Sequence, residues 1–499
     1  MSTQNKIRIA YAGSATYNQL TAGSRFCNRV ENPEGNHRQR GFLGGALYNE
    51  NWEPTDGCIF QDFSQPDLVL PRDAAGGTGS QEAICSLLEA GSLAAALDWK
   101  PHFLLLQLNA SLDASPDSYA AAMVALSERI RGLLPECRLY LVSPLPSGIP
   151  ACGPVVERSC EFAQAFGSAL KAALVDGGSD VLYIDLMAAL SATEWQTLLS
   201  GLGGRDGCEL AGLQWKLGQS LLFGFFEEAE QRVFPDKAAS GAGEAPKVSP
   251  HCSTQGLPPS CDPNQGLVRD LPEGWWQQQL DDGHRLGKGC QLIFVGDSIT
   301  HWWTNTSHID DTYSAAGKDA FQNFFGKYRD TSLNVGQASD TTADVLLRIH
   351  SGALGSQPET FEPKLVSILI GTNNIGNPNL QKEFGGPDNS RQLAQGIVQV
   401  ARAVRRYCPR AKIVVTGILP TRIPYDMTRS KLEYANHLVG QLAESEGFYF
   451  LNLSQAMTAP DGSTIAELYN KAEWEAARLH LSEAGYERWA AHLVEFLED

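Results

Sequence analysis

Residues Leu292–Thr300 read Leu-Ile-Phe-Val-Gly-Asp-Ser-Ile-Thr, an apolar run of strand length that ends abruptly in Gly-Asp-Ser. Gly296 permits the sharp turn that must follow such a strand, since glycine adopts backbone conformations that other residues avoid. A serine directly after a buried strand presents its hydroxyl at the carboxyl edge of the sheet, where α/β proteins place their chemistry. If a helix begins here, its free N–H groups lie beside Ser298 and can stabilise an oxyanion. The alternative interpretation is a capped helix start with no chemistry.

Three later segments follow this one in a recognisable order. They are Leu333–Thr342 (LNVGQASDTT), Val366–Asn374 (VSILIGTNN) and Leu479–Tyr486 (LHLSEAGY). Together the four resemble the signature blocks of SGNH (GDSL-type) serine hydrolases. Among these the sequence looks most like the α-subunits of intracellular platelet-activating-factor acetylhydrolases and their bacterial esterase relatives. The resemblance covers the chain from about Trp275 onward, and it implies a serine esterase.

Length and composition indicate a globular protein with more than one domain. The chain has 499 residues, of which 43% are hydrophobic and 19% charged, and its net charge is −18. That charge disfavours nucleic acids and anionic membrane surfaces as partners. The sequence has no apolar run of membrane-spanning length and no signal-peptide core after Met1, which predicts a cytoplasmic protein. It also lacks zinc-type Cys/His spacing and a dinucleotide-binding glycine motif, so we expect no metal or nucleotide.

Residues 236–266 are rich in Ala, Gly, Ser and Pro without an apolar period, which predicts a linker between two domains, residues 1–235 and 267–499. The two sides of this linker resemble each other, because Pro135–Pro150 aligns with Pro409–Pro424 without a gap. Alternating strands and helices predict an α/β fold in each half, a flavodoxin-like parallel sheet sandwiched by helices. The shared prolines favour common ancestry over the alternative that any two α/β domains look alike at this level.

The first half has lost its chemistry in this alignment. Ala15 stands at the position of Ser298, and Gln214 falls about where His480 stands. Ser14 therefore has no evident base to activate it. We expect the first domain to be a degenerate SGNH-like copy that serves as an intramolecular partner of the second.

Ser298 and His480 are the candidate catalytic pair. A neutral serine hydroxyl is a poor nucleophile and needs a base to take its proton. By resemblance that base is His480, and the alternative is an ordinary surface histidine. The reaction would be hydrolysis of a short-chain, acetyl-type ester of a sugar, lipid or small metabolite through a covalent acyl-enzyme.

Three donors are implied by the resemblance for the oxyanion of the tetrahedral intermediate. They are the backbone N–H groups of Ser298 and Ser339 and the side-chain amide of Asn373, with Asn374 as the alternative amide. The family usually carries glycine at the position of Ser339. A backbone N–H survives that difference, while the added side chain can crowd the acyl group or supply a hydroxyl.

Ala477 departs from the family pattern, which places an aspartate three residues before the histidine. Losing the acid costs about 10⁴ in turnover in serine proteases. Three explanations stay open. Glu475 or Glu473 substitutes for the acid; a backbone carbonyl orients His480 in a Ser–His dyad; or the site is weak or inactive, and the protein is a pseudo-enzyme or ligand-binding protein.

Four further residues near the motifs have less specific roles. Asp297 and Asp340 lie in or beside tight turns, and we expect them to bond local backbone N–H groups. Trp302 and Trp303 either line the acyl or leaving-group pocket or belong to the core.

Overall fold

A five-stranded parallel β-sheet lies in each half of the chain in the computed structural model. The structure describes residues 7–13, 28–30, 38–40, 58–63, 70, 78–89, 91–109, 114–146, 154–177, 180–200, 208–233, 261–263, 266, 268, 274–303, 316–355, 361–376, 390–420, 427–458, 464–470 and 479–498. Contacts within the chain divide it into two units, mainly Met1–Val233 and mainly Phe234–Asp499. The predicted linker, residues 236–266, lies almost entirely outside the described residues, so its bounds stay a prediction.

The first unit alternates strands with helices. Its described strands are β1 (Ile7–Gly13), β2 (Asn28–Val30), β3 (Arg38–Arg40), β4 (Cys58–Asp62), β5 (Phe103–Gln107), β6 (Arg138–Val142) and β7 (Leu182–Ile184). Its described helices are α1 (Thr78–Glu89), α2 (Gly91–Asp98), α3 (Pro116–Leu133), α4 (Pro154–Asp176), α5 (Ala192–Ser200) and α6 (Cys208–Val233). Strands β2 and β3 form a separate antiparallel pair.

The second unit repeats the alternation. Its described strands are β8 (Leu292–Gly296), β9 (Ser332–Asn334), β10 (Leu365–Leu369), β11 (Lys412–Thr416) and β12 (Tyr449–Leu451). Its described helices are α7 (Trp275–Leu286), α8 (Ser298–His301), α9 (Lys318–Phe325), α10 (Thr342–Arg348), α11 (Thr372–Gly376), α12 (Ser390–Tyr407), α13 (Met427–Ser445), α14 (Ser454–Met457) and α15 (Glu483–Glu498). Among the described helices of either unit, none is both long and apolar enough to cross a lipid bilayer.

Both sheets have the same strand order. The first runs β4-β1-β5-β6-β7 and the second β9-β8-β10-β11-β12, and every pairing within them is parallel. Counted along the chain within each sheet, this is the flavodoxin-like order 2-1-3-4-5. The predicted fold class is confirmed.

The gapless alignment of the two halves agrees with the positions of the strands. Strand β6 begins at Arg138 and β11 at Lys412, which the alignment of Pro135–Pro150 with Pro409–Pro424 makes equivalent. The last residues of β1 and β8 likewise pair with the last residues of β5 and β10. The two sheets therefore share strand order and strand register. Descent of the two halves from one ancestral domain stays a prediction.

The core of the second unit follows from its apolar patterns. All five residues of β8 and all five of β10 are buried, as the near-continuous apolar strands of a parallel sheet require. Helix α12 buries Leu393, Ile397, Val400 and Val404, which recur with the helical period. Since parallel strands present their carboxyl ends at one edge, β8, β9 and β10 deliver the three loops that carry the predicted motifs to the same edge.

Candidate active site

Ser298 is the first residue of the short helix α8, which follows β8 with only Asp297 between them. Asp297 caps this helix: its Oδ1 accepts a hydrogen bond from the N–H of Ile299 at 3.0 Å, in line with the predicted structural role. A Cβ at Gly296 would lie 2.1 Å from the carbonyl oxygen of Leu369. Glycine is therefore required here because the neighbouring strand approaches closely.

The structure brings the predicted pair together. Nε2 of His480 lies 2.8 Å from Oγ of Ser298, although 182 residues separate them in the sequence. The carbonyl of His480 accepts a hydrogen bond from the N–H of Asn470 at 2.9 Å, and Leu481 forms an antiparallel bridge with Tyr469. The histidine is thus fixed by its own backbone just before helix α15. A serine hydroxyl and an imidazole nitrogen at this distance can exchange a proton.

Ser339 lies in a tight turn of the segment that follows β9, and its backbone has a positive φ. The turn Gln337–Asp340 is closed by a hydrogen bond from the N–H of Asp340 to the carbonyl of Gln337 at 3.2 Å. Ser339 occupies its third position with a φ of +69°. A type II turn requires a positive φ at that position, which glycine adopts without strain. This geometry explains why glycine is usual at this position of the family pattern and makes Ser339 a strained substitute.

The two neighbouring asparagines have different partners. Nδ2 of Asn373, which is half-buried, donates to the carbonyl of Asp340 at 2.9 Å, so its amide lies against the turn that carries Ser339. Asn374 instead engages Thr342 with both ends of its amide: Oδ1 accepts from the backbone N–H at 3.1 Å, and Nδ2 donates to Oγ1 at 3.0 Å. Asn374 therefore fixes the start of helix α10, while Asn373 contacts the turn that carries Ser339.

A buried ion pair lies under the same turn. The guanidinium of Arg348 bonds Oδ2 of Asp340 through Nε at 2.7 Å, and its Nη1 donates to the carbonyl of Val335 at 2.8 Å and to Oε1 of Gln279 at 3.0 Å. The expectation that Asp340 bonds local backbone N–H groups did not include this ion pair. Helix α10 brings an arginine eight residues further on back to the turn, and a buried carboxylate binds a guanidinium more strongly than a neutral N–H.

Helix α7 also contacts the segment from Val335 to Asp340. Nε1 of Trp275 and Nε2 of Gln279 both donate to the carbonyl of Gly336, each at 3.1 Å. The indole of Trp275 also stacks on the imidazole of His301, with ring centroids 4.5 Å apart. The segment from Val335 to Asp340 is therefore tied to α7 and α10, and we name it the oxyanion loop. The sequence analysis missed the contribution of α7, which lies before the first motif.

The tryptophan pair divides between the two predicted roles. Trp303 is fully buried and packs on Tyr486 and Trp489 of α15, with centroids 5.0 Å and 4.4 Å apart, so it belongs to the core. The ring of Trp302 lies against the imidazole of His480 with centroids 3.6 Å apart. Trp302 is therefore part of the site, in contact with the predicted base.

Asp297 is the titratable residue that precedes Ser298 in the sequence. Burial raises the pKa of its carboxyl to about 7, against the lowering effect of the hydrogen bond from Ile299. Its Oδ2 has no hydrogen-bond partner among the described residues. Within the described part of the chain, no group of three or more His, Cys, Asp or Glu side chains is arranged to hold a metal ion.

The predicted acid position lies outside the described residues. These end at Asn470 and resume at Leu479, so the segment that contains Ala477, Glu475 and Glu473 has no structural account. The three explanations for Ala477 therefore stay open.

Gln214 is the seventh residue of helix α6, and His480 lies three residues before helix α15. The assignment of Gln214 to the position of His480 stays a prediction. Ser14 and Ala15 lie outside the described residues.

Comparisons with known proteins bear on this site. The family model described as the GDSL-like lipase/acylhydrolase family matches residues 294–488. The α1 subunit of platelet-activating factor acetylhydrolase IB from Bos taurus is 32% identical over 202 residues, which cover 40% of this chain and 71% of that protein. The Homo sapiens α1 subunit matches with the same identity and coverage. Among solved structures, a GDSL-like lipase from Bacteroides thetaiotaomicron is 19% identical with a TM-score of 0.33, covering 44% of this chain and 96% of that one.

Proposed function

Because the chain belongs to the GDSL-like lipase/acylhydrolase family, we propose that it is a serine esterase that hydrolyses short-chain, acetyl-type esters through a covalent acyl-enzyme. The observation that carries this proposal is the distance of 2.8 Å between Oγ of Ser298 and Nε2 of His480. The proposed nucleophile and base lie at the carboxyl edge of a parallel sheet, where α/β proteins place their chemistry.

The proposed reaction uses these two side chains twice. Oγ of Ser298 attacks the carbonyl carbon of the ester while Nε2 of His480 takes the hydroxyl proton. When the tetrahedral intermediate collapses, His480 gives that proton to the leaving alcohol. A water molecule then attacks the acyl-serine with His480 again as base, which releases the acid and restores the hydroxyl.

The negative charge of each tetrahedral intermediate falls on the former carbonyl oxygen. We assign its stabilisation to the backbone N–H groups of Ser298 and Ser339 and to the amide of Asn373. A preorganised donor of this kind contributes about 3–4 kcal/mol to transition-state stability. Asn373 supports the assignment, since one N–H of its amide is used on the carbonyl of Asp340 and an amide nitrogen carries two.

A small acyl group is proposed for two reasons. The curated relatives are named acetylhydrolases. In addition, Ser339 places a side chain on the oxyanion loop where glycine is usual, and we propose that this side chain restricts the acyl group. The alcohol part of the substrate can be a sugar, a lipid or a small metabolite. The resemblance to intracellular acetylhydrolases is the reason to propose a cytoplasmic site of action.

Hydrolysis of p-nitrophenyl acetate, butyrate and octanoate tests the proposal. We expect the highest kcat/KM on the acetate, labelling of the chain by a fluorophosphonate probe, and loss of both in Ser298→Ala. His480→Ala should reduce turnover to background. If the folded chain neither turns over any of the three esters nor reacts with the probe, the pseudo-enzyme or ligand-binding alternative is correct.

We further propose that residues 1–235 do no chemistry and act as a structural partner of the second domain. The support is Ala15, which stands where the second half has Ser298. In the full chain carrying Ser298→Ala, no esterase activity should remain. Residual turnover that is abolished by Ser14→Ala would place a second active site in the first domain.

A further inference from the structure

We propose that Trp302, whose indole lies against the imidazole of His480, is a positioning residue that holds this ring and stabilises its protonated form during acyl transfer. The proposal rests on the proposed function, in which His480 is the base. It adds the indole of Trp302 to the groups that hold His480 in place. The face of an aromatic ring would then do part of what the aspartate of other family members does through a hydrogen bond.

The contact between the two rings is close. Their centroids are 3.6 Å apart with 38° between the planes. Aromatic pairs usually have centroids about 4.5–7 Å apart, and edge-to-face pairs cannot approach as closely as this one. The imidazole must therefore overlap the face of the indole. Both side chains are more than nine-tenths buried, with exposed fractions of 7% for Trp302 and 9% for His480. Little water is left to screen the contact.

The sequence position of Trp302 accounts for the contact. Its backbone N–H donates to the carbonyl of Ser298 at 3.0 Å, one helical turn along. Residues four apart on a turn lie on the same face, so the hydroxyl of Ser298 and the indole of Trp302 reach the same imidazole. The hydroxyl contacts Nε2 of the imidazole, and the indole contacts the face of the imidazole ring.

Helix α15 holds both the turn that carries Trp302 and the segment that carries His480. The hydroxyl of Tyr486, near the start of α15, donates to the carbonyl of Ile299 at 2.7 Å. Trp303 packs on Tyr486 and Trp489 of the same helix. Helix α15 begins three residues after His480, so these contacts fix both the turn that carries Trp302 and the segment that carries the base.

Proton transfer from Ser298 to His480 gives the contact between the rings of Trp302 and His480 a role. When His480 takes the proton of Ser298, its ring becomes a cation while the oxyanion forms. An aromatic face within about 6 Å stabilises a cation, by about 2-fold at an exposed position and about 30-fold at a desolvated one. In the usual triad an aspartate orients the ring and stabilises this cation. Ala477 has no carboxylate, and the indole can supply the ring contact and the charge stabilisation. The indole has no hydrogen-bond acceptor, so it does not determine which tautomer the imidazole of His480 adopts.

The test compares Trp302→Phe and Trp302→Leu in the full chain, with p-nitrophenyl acetate as substrate. Phenylalanine keeps an aromatic face, and we expect kcat within about threefold of the parent. Leucine keeps apolar cover without a π-system, and we expect kcat to fall about tenfold with KM nearly unchanged. The acid limb of its pH–rate profile should move to lower pH, since the protonated ring loses support. Asp297 and His301, the other titratable groups of the turn, are present in every variant.

The matched control is Tyr449→Leu, which also replaces an aromatic ring by leucine. Tyr449 is 47% exposed on β12, and its ring packs on Phe496. This variant should keep the parent kcat and pH profile. A Trp302→Leu variant with the parent kcat and the parent pH profile would overturn the proposal.

Global replacement of tryptophan by a fluorinated analogue decides the question if Trp302→Leu fails to fold. Fluorination withdraws charge from the ring face at nearly unchanged shape, so kcat should fall in the parent chain and stay unchanged in a Trp302→Phe background. Equal losses in the two backgrounds would refute the proposal.

NMR titration of the His480 ring protons separates this proposal from the proposed function. The signals are assigned with His480→Ala, and the measurement needs no turnover. We expect the midpoint of the titration to lie at lower pH in Trp302→Leu than in the parent. An unchanged midpoint refutes the role of Trp302 even in an active esterase, whereas an inactive chain with a shifted midpoint refutes only the esterase assignment.

Discussion

The carboxylate of Asp340 and the guanidinium of Arg348 form an ion pair of 2.5 Å whose side chains are 0% and 1% exposed. The backbone carbonyl of Asp340 accepts the amide of Asn373 at 2.9 Å. One residue thus joins a buried charge pair to a proposed oxyanion donor. Arg348 also holds the carbonyl of Val335, at the other end of the oxyanion loop. The loop is fixed at both ends by one side chain, as the proposed stabilisation of an oxyanion by its N–H groups requires.

Replacing Arg348 by methionine should destabilise the second domain and impair catalysis together. Removal of one partner leaves the carboxylate of Asp340 buried and unpaired, which costs about 3–5 kcal/mol. Urea unfolding measures this loss, and esterase kinetics should show a lower kcat. The matched control is Arg402→Met, which breaks the half-exposed pair with Glu446 and should cost at most about 1 kcal/mol. Recovery of stability on adding Asp340→Asn to Arg348→Met would confirm that the unpaired charge is the cause.

The two adjacent asparagines should separate catalysis from stability. Asn373→Ala removes a proposed oxyanion donor, and we expect kcat to fall about 10²–10³-fold with little change in unfolding. Asn374→Ala leaves two buried groups of Thr342 without partners, and it should cost about 1–3 kcal/mol of stability. Steady-state kinetics and urea unfolding of both variants check the pair. If Asn374→Ala shows the larger loss of kcat in the folded protein, the donor has been assigned to the wrong amide.

Ser339→Gly should stabilise the chain. A residue with a side chain at a φ of +69° lowers the free energy of unfolding by about 1–2 kcal/mol, and glycine avoids this loss. The backbone N–H is retained, so we expect thermal unfolding at a higher temperature and a kcat at least equal to that of the parent. Ser339→Ala is the control, since it removes the hydroxyl and keeps the strain. A gain in Ser339→Ala equal to that in Ser339→Gly would show that the hydroxyl, and not the backbone, is unfavourable.

Much of the fold could be predicted because local patterns carry it. The apolar run that ends at Gly296 predicted β8 and its turn, and the alternation of strands and helices predicted the parallel sheet of each half. The proximity of Ser298 and His480 followed from the order of the motifs. These predictions rest on features that are close together in the sequence or repeated in a family pattern.

The missed contacts depend on tertiary packing. Nothing local indicates that Arg348 returns to Asp340, because the backbone path of α10 decides it. The sequence also leaves open which of Trp302 and Trp303 reaches the base, since both belong to one turn.

Asp297 should make stability depend on pH. Its pKa of about 7 in the folded chain lies above the ordinary value of about 3.9, so the folded state holds the proton more tightly than the unfolded state. The resulting stabilisation is complete below about pH 4 and is lost as the pH rises through about 7. Asp297→Asn still accepts the N–H of Ile299 and cannot ionise. We expect the variant to be more stable than the parent at pH 8, by on the order of 2 kcal/mol, and no more stable at pH 4. Urea unfolding between pH 4 and 8 measures the difference, and parallel curves would contradict it.

Ala477→Asp should increase turnover if the base lacks a carboxylate. The new side chain lies three residues before His480, where the family places its acid, and it would hold the ring in one tautomer and stabilise its cation. We expect kcat to rise at least about tenfold, against the roughly 10⁴ that losing an acid costs in serine proteases. The acid limb of the pH–rate profile should move to higher pH, because a nearby carboxylate favours the protonated ring. The gain should be larger in Trp302→Leu than in the parent, since the carboxylate and the indole stabilise the same cation and their effects are then not additive.

If Ala477→Asp changes neither kcat nor the pH profile, two explanations apply. Either a backbone carbonyl or Glu475 already accepts the one N–H of the ring that an acid could bind, or position 477 is not the acid position. Glu475→Gln distinguishes these cases, because it lowers kcat only if that glutamate is the acceptor.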